Sequence, residues 1–270
     1  MTLRAYTKSI SKEAFVAETK KHQAADNFLK GTYDKGEKGC AVGCALKTVA
    51  KLKRIDLDFG DHAQFENHLG IPEWLAQLEE SIFEGVTLER SKLWPVEFAE
   101  AINEGSDLEK IKIPFIVYLM EENLKSIRSV KYDADKFPDV KSTIDQTEKA
   151  ILQMIEAQKS GDPDLISAAW SAAESAESAA WSAVCSVRSA ARSAARSAVR
   201  SAWSTVWSVR SAESAESAAR LAACSATWSA ARSAAWSAGS AAESAWAMAE
   251  VAMYERCADK LLELMRDCKN

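Results

Sequence analysis

Residues 164–203 read DLISAAWSAAESAESAAWSAVCSVRSAARSAARSAVRSAW, and the same grammar continues to about Glu250. One larger residue is followed by Ser and then by one or two small apolar residues. The larger positions include Trp170, Glu174, Glu177, Trp181, Cys185, Arg188, Arg192, Arg196, Arg200, Trp203 and Trp207, and the series ends near Glu243 and Trp246. From Trp170 to Trp246 there are 76 positions in 21 steps, a mean spacing of 3.62. That is the period of an α-helix, so the large side chains fall on one stripe. Ala is the strongest helix former, and the tract contains almost no Gly or Pro, so it is predicted to be helical throughout. As one straight rod it would measure on the order of 120 Å.

Each Ala methyl removes little apolar area from water, so burial along such a helix is weak. Small side chains instead let helix backbones approach closely. The tract is therefore expected to fold back as a hairpin or bundle, or to associate with copies of itself. Trp170, Trp181, Arg192 and Trp203 lie 11 apart, a spacing that favours a right-handed drift. The phase slips where Arg210, Glu213 and Glu216 step by three, which marks a candidate joint, and Gly239 marks a second. Arg is a planar donor for phosphate or carboxylate, and Trp is a stacking surface for a base. Arg188, Arg192, Arg196, Trp203 and Trp207 are thus candidate ligand-binding residues. The alternative is a solvated face whose charges pair along the helix and whose indoles anchor on the rest of the chain.

Outward from the tract, the first 162 residues carry ordinary helical signals. In residues 11–28 Ser11 is the expected N-cap, and Phe15, Val16, Thr19 and Ala24 form a rough apolar face. Residues 31–39, GTYDKGEKG, form a loop that leads into an apolar helix over 40–53. A connector and a short helix cover 54–70. In 71–85 Pro72 opens a helix, Gly85 ends it, and Trp74, Leu75, Leu78, Ile82 and Phe83 form its buried face. Residues 94–105 repeat this grammar, with Pro95 placed at the start. Pro114 marks a kink or a new helix start within 106–127. A polar loop at 131–139 precedes a helix over 140–161, and residues 246–270 form an amphipathic closing helix. No segment alternates with period two, so the expected fold is all-α. The expected division is an N-terminal helical domain, 1–162, and an Ala/Ser-rich helical tract with its closing helix, 163–270.

Composition narrows the function classes. Net charge is −5 and the sequence pI is about 5.5, against the basic excess of a general nucleic-acid binder. No apolar run approaches the roughly 20 residues of a membrane helix, and the N-terminus lacks the apolar core of a signal peptide. The six Cys, at 40, 44, 185, 224, 257 and 268, form no dense framework. Reduced thiols in a cytoplasmic protein are expected.

The segment KGEKGCAVGCALK, 35–47, sets Gly and Lys before a helix start. Free N–H groups there, with the helix dipole, favour an anion, and Lys35 and Lys38 would add charge beside Gly39 and Cys40. The P-loop pattern is absent. Other readings of the segment compete. Cys40 in the first turn could be a stabilised thiolate nucleophile, with His22, His62 or His68 as base. Cys40 and Cys44 with His62 and His68 could hold a metal, although cysteines four apart on a helix are not the usual knuckle. Finally, Gly43 and both Cys can be compact core groups that permit close packing.

The stretches KGCAVGCAL at 38–46, LGIPEWLAQLEESIFEG at 69–85, WPVEFAEAI at 94–102 and the Ala-rich tract closing with ADKLLELM at 258–265 carry a resemblance. The chain resembles a family of uncharacterised bacterial and phage proteins that has no assigned activity. The resemblance covers most of the chain, and the phage members imply a role in host–phage conflict. This chain departs from many relatives in alternating Ser with Ala.

Together these features lead to an expected function: non-enzymatic sequestration of a small anionic ligand, such as a nucleotide second messenger, by a homo-oligomer that needs no cofactor. A Cys40-dependent enzyme and a self-associating structural module are the alternatives.

Overall fold

The computed structural model describes residues 3–129, 138–162, 164–165 and 240–269. Among these the chain is all-α, with eight α-helices, one 3-10 turn and no strand. The hairpin-or-bundle arrangement expected for the Ala/Ser tract lies outside the described residues, as does most of the 131–139 loop. Two compact units are present: residues 1–115 with 254–270, and residues 116–253.

Within the first unit, α1 (Lys12–Ala24) starts where Ser11 Oγ accepts from Ala14 N–H at 3.3 Å. Phe15 and Thr19 face inward, whereas Ala24 is exposed. The helix ends before Asp26, whose φ is positive. Next, α2 (Ala41–Lys53) is buried along almost its whole first half, from Ala41 to Leu46, and again at Thr48 and Val49. The short α3 (Ala63–Leu69) closes on Gly70, whose φ of +70° suits glycine. Then α4 (Glu73–Gly85) buries the expected Trp74, Leu75, Leu78, Ile82 and Phe83. Gly85 does end it, but without a left-handed turn. A side chain there would overlap the ring of Tyr254, so this glycine makes room for the closing helix.

The helix α5 (Leu88–Ala101) begins six residues earlier than Pro95 led us to expect. Thr87 Oγ1 accepts from Arg90 N–H at 3.1 Å and caps it, and Pro95 lies inside. The cap and the burial of Trp94, Val96, Phe98 and Ala99 hold the helix together past the proline, which removes one backbone donor. Trp94 Nε1 donates to the Glu79 carbonyl at 3.0 Å and so ties α5 to α4. A 3-10 turn, Leu108–Ile111, precedes α6 (Lys112–Arg128). Pro114 sits in the first turn of α6, where a missing N–H costs nothing.

The N-terminal segment threads this unit: Tyr6 N–H reaches Leu69 O at 2.6 Å, Ala5 N–H reaches Ser106 O at 3.0 Å, and Tyr6 Oη donates to Ala99 O. The helices α1, α2, α4 and α5 pack in sequence-adjacent and crossed pairs, α1 on both α2 and α5, and α4 on both α2 and α5. The end of α8 (Ser240–Asp267) belongs to this unit as well. Tyr254, Cys257, Ala258, Leu261, Leu262 and Met265 are buried at helical spacing. Arg90 reaches Asp259 at 2.9 Å, and the Asn103 amide donates to the carbonyls of Met265, Arg266 and Cys268. Those carbonyls are the ones a helix end leaves without partners, so Asn103 caps α8 from another element.

In the second unit, α7 (Pro138–Ser160) stops at Gly161, φ +67°, as the sequence predicts. Ion pairs tie it to α6: Arg128 to Glu148, and Lys159 to Glu121 at 3.3 Å.

One core group opposes the rest. Glu79 on α4 is 2 % exposed, and its Oε2 has no partner among the described residues. Burial, followed by the nearby Glu80 charge, pushes its carboxyl well above the ordinary range. The unfolded chain ionises this group at the usual carboxylate pH, while the folded chain keeps it protonated. The folded state then binds more protons, so the Glu79 contribution weakens as pH rises from the unfolded carboxylate pKa toward the raised folded value. Glu79→Gln is expected to raise Tm at pH 8 by a few degrees, with about 1 kcal/mol corresponding to roughly 2–4 °C at this size. The gain should shrink toward zero near pH 4. Calorimetry across that range checks it, and a gain independent of pH would contradict it.

Candidate functional site

The loop 31–39 and the start of α2 form one structure. Lys35 N–H donates to Lys38 O at 2.9 Å and the reverse bond measures 3.3 Å, so the loop tip is a tight turn with both lysines exposed. Gly39 N–H donates to Asn27 O at 3.0 Å, and Cys40 N–H to Thr32 O at 2.6 Å. Side chains at Gly39 or Gly43 would overlap the Tyr33 carbonyl oxygen. The two glycines therefore let the Tyr33 peptide lie directly against the helix start. Of the four residues the sequence assigns to an anion here, Lys35 and Lys38 stay in solvent, and the N–H groups of Gly39 and Cys40 are bonded to the chain itself. The other assigned residues, Arg188, Arg192, Arg196, Trp203 and Trp207, lie outside the described residues.

Cys40 is the N-cap of α2 rather than a first-turn residue: its Sγ accepts from Gly43 N–H at 3.3 Å. Both Cys40 and Cys44 are about 1 % exposed. Burial pushes the Cys40 thiol far up, and the Gly43 hydrogen bond offsets only part of that. Burial likewise raises Cys44 to about 11, and its thiol donates to Gly39 O at 3.5 Å. The helix start thus does not stabilise a thiolate here, because desolvation outweighs the dipole. The three histidines are engaged elsewhere: His22 with Asn27 at 3.3 Å, His62 with Glu80 at 2.6 Å, and His68 with Lys53 at 2.8 Å. Among the described residues no cluster of His, Cys, Asp or Glu is arranged to hold a metal. Gly43 and the two Cys act as the compact packing groups of the third reading.

Beside this loop lies a cleft of about 550 Å³, lined by α1, the loop, α2 and Phe59. Its charged groups are Glu18, Lys21, Asp34, Glu37, Lys47 and Lys51, with His22 and Asn27 between them. Glu18 is 12 % exposed and gathers two ammonium groups, Lys21 from its own helix and Lys51 from α2 at 2.5 Å. Those bonds hold its carboxyl below the ordinary range. Lys47 is the most enclosed cation. Its Nζ donates to Gly36 O at 2.7 Å and Lys38 O at 2.6 Å, pairs with Asp34 at 2.9 Å, and stands 5.6 Å from the Phe59 ring. Burial first, then the Lys47 charge, lower the pKa of His22, so the ring is neutral at pH 7.

Sequence reasoning did not assign Lys47, Lys51 or Glu18 to a site. Two signals were present: a Lys in the middle of the apolar run AVGCALKTVA, and glycines four apart beside a loop, which announce close backbone approach. Comparison of the chain with family models, curated proteins and solved structures returns no match.

The burial of both thiols has a direct chemical readout. In the folded protein Cys40 and Cys44 are expected to react with a maleimide at pH 8 roughly a hundredfold or more slowly than in urea. Peptide mapping by mass spectrometry separates them from the other four Cys. Rapid native labelling at Cys40 would show that the helix start opens.

Proposed function

We propose that this protein is a non-enzymatic binder that sequesters a small anionic ligand in the cleft between α1, α2 and the 31–39 loop. The observation that carries the reading is the Glu18 cluster. One enclosed carboxylate holds Lys21 and Lys51, both largely exposed, at the edge of a cavity of about 550 Å³. Each ammonium has three donors, and among the described residues Glu18 engages each of them once. The remaining donors are available to a ligand, and the exposed ion pairs keep both ammonium groups at the cleft edge. The volume suits a nucleotide-sized molecule. Phe59 gives an apolar wall, and Glu37 and Asn27 give acceptors for sugar hydroxyls. A nucleotide second messenger is the ligand class we favour, captured stoichiometrically as a phage protein would capture a host signal. Arg188, Arg192, Arg196, Trp203 and Trp207 enter this proposal on their sequence alone, as further donors and stacking surfaces.

Isothermal titration with cyclic di- and trinucleotides and ADP-ribose derivatives tests it. At least one is expected to bind, and Lys21→Ala with Lys51→Ala should weaken it roughly tenfold or more, as for lost charge-assisted hydrogen bonds. Arg192→Ala reports whether the tract contributes. Absence of heat with every compound would end the proposal.

A further inference from the structure

We propose that Lys47 is the anion-recognition centre of the cleft, that the group it takes is a phosphate or phosphoanhydride, and that Asp34 occupies that position in the unliganded protein. The inference rests on the binding reading above and assigns the residue that recognises the ligand. Lys47 Nζ has three donors and three acceptors around it: the carbonyls of Gly36 and Lys38 and the carboxylate of Asp34. The two carbonyls belong to the loop backbone and fix the ammonium in place. The third partner is of a different kind. Lys47 is 13 % exposed, whereas Asp34 is 54 % exposed, so the carboxylate can turn into solvent without moving the loop. Both residues line the cleft. An anion that replaces Asp34 inherits an ammonium already desolvated by the loop, α2 and the Phe59 ring.

The occupant also sets the selectivity. Asp34 is tethered to the loop and competes at a high effective concentration. A ligand with a single carboxylate offers the same charge without the tether and is excluded. A phosphoryl group carries more charge and more acceptor oxygens, and so displaces the half-exposed pair, which is of a weak kind. Lys21 and Lys51 then lie along the same cleft for a second anionic group.

Titration with inorganic pyrophosphate, with acetate as control, tests the inference on the full chain. Asp34→Asn keeps the side-chain shape and removes the charge. It is expected to bind pyrophosphate roughly three- to tenfold tighter than the natural protein. Adding Lys47→Met, which retains the apolar stem, should remove that gain. Circular dichroism confirms the fold of each variant, and Lys47→Gln serves in place of Lys47→Met if the latter unfolds. An Asp34→Asn protein that binds pyrophosphate no tighter, no pyrophosphate binding by either protein at millimolar concentrations, or a gain that survives loss of Lys47, each overturns the inference. A gain in Asp34→Asn alongside no response to the nucleotide panel would instead leave this site standing and remove the second-messenger reading.

Discussion

The contact on which the site depends is the seating of the Tyr33 peptide against the first turn of α2. It needs two positions without side chains, Gly39 just before the N-cap and Gly43 in the first turn, both against the Tyr33 carbonyl. With the peptide seated, the loop can place the carbonyls of Gly36 and Lys38 over Lys47, which springs from the next turn of the helix. Just before and within the helix start, the N–H groups of Gly39, Cys40 and Gly43 are bonded by Asn27 O, Thr32 O and Cys40 Sγ. The cationic character emerges further along α2, where side chains can reach solvent.

The same seating decides the chemistry of the cysteines. Buried beneath the loop, Cys40 and Cys44 meet backbone groups rather than water, and the charges of Glu80 and Glu84 raise the Cys40 thiol further. A nearby helix dipole stabilises a thiolate only where the charge is not also stripped of solvent. Here burial has the larger effect, and the sulfur atoms serve as weak hydrogen-bonding spacers. Cys40 is an N-cap of the kind Ser usually provides, with a longer and softer acceptor.

Much of the helical order was legible because it rests on local chemistry. Ser11, the Pro72 opening of α4, the early Pro114 of α6 and the Gly161 stop all act within a turn of their own position. The buried face of α4 followed from spacing alone. Pro95 misled because a proline inside a helix has the same local signature as one at its start, and only the Thr87 cap and the packing of Trp94 and Phe98 decide between them. Gly85 ends α4 as read, but its cause is the ring of Tyr254, 169 positions away. The cleft was not legible for a similar reason. Glu18, Asp34, Lys47, Lys51 and Phe59 come from four stretches of chain, and no spacing rule joins them.

Charge balance shapes what such a cleft can do. Three acids and three lysines line it, so its long-range field is close to neutral and gives little steering to an approaching anion. Selectivity then has to come from contact. Glu18 pairs with two exposed lysines and keeps their ammonium groups at the cleft edge. Lys47 is fixed more tightly, by backbone carbonyls that cannot be titrated or displaced without moving the loop. In the proposed binding mode an anion exchanges contacts with Asp34 at Lys47, while the remaining donors of Lys21 and Lys51 take a second group without displacing Glu18. In such a site the acids do not merely offset the lysines; they set the charge and geometry that an entering group must exceed.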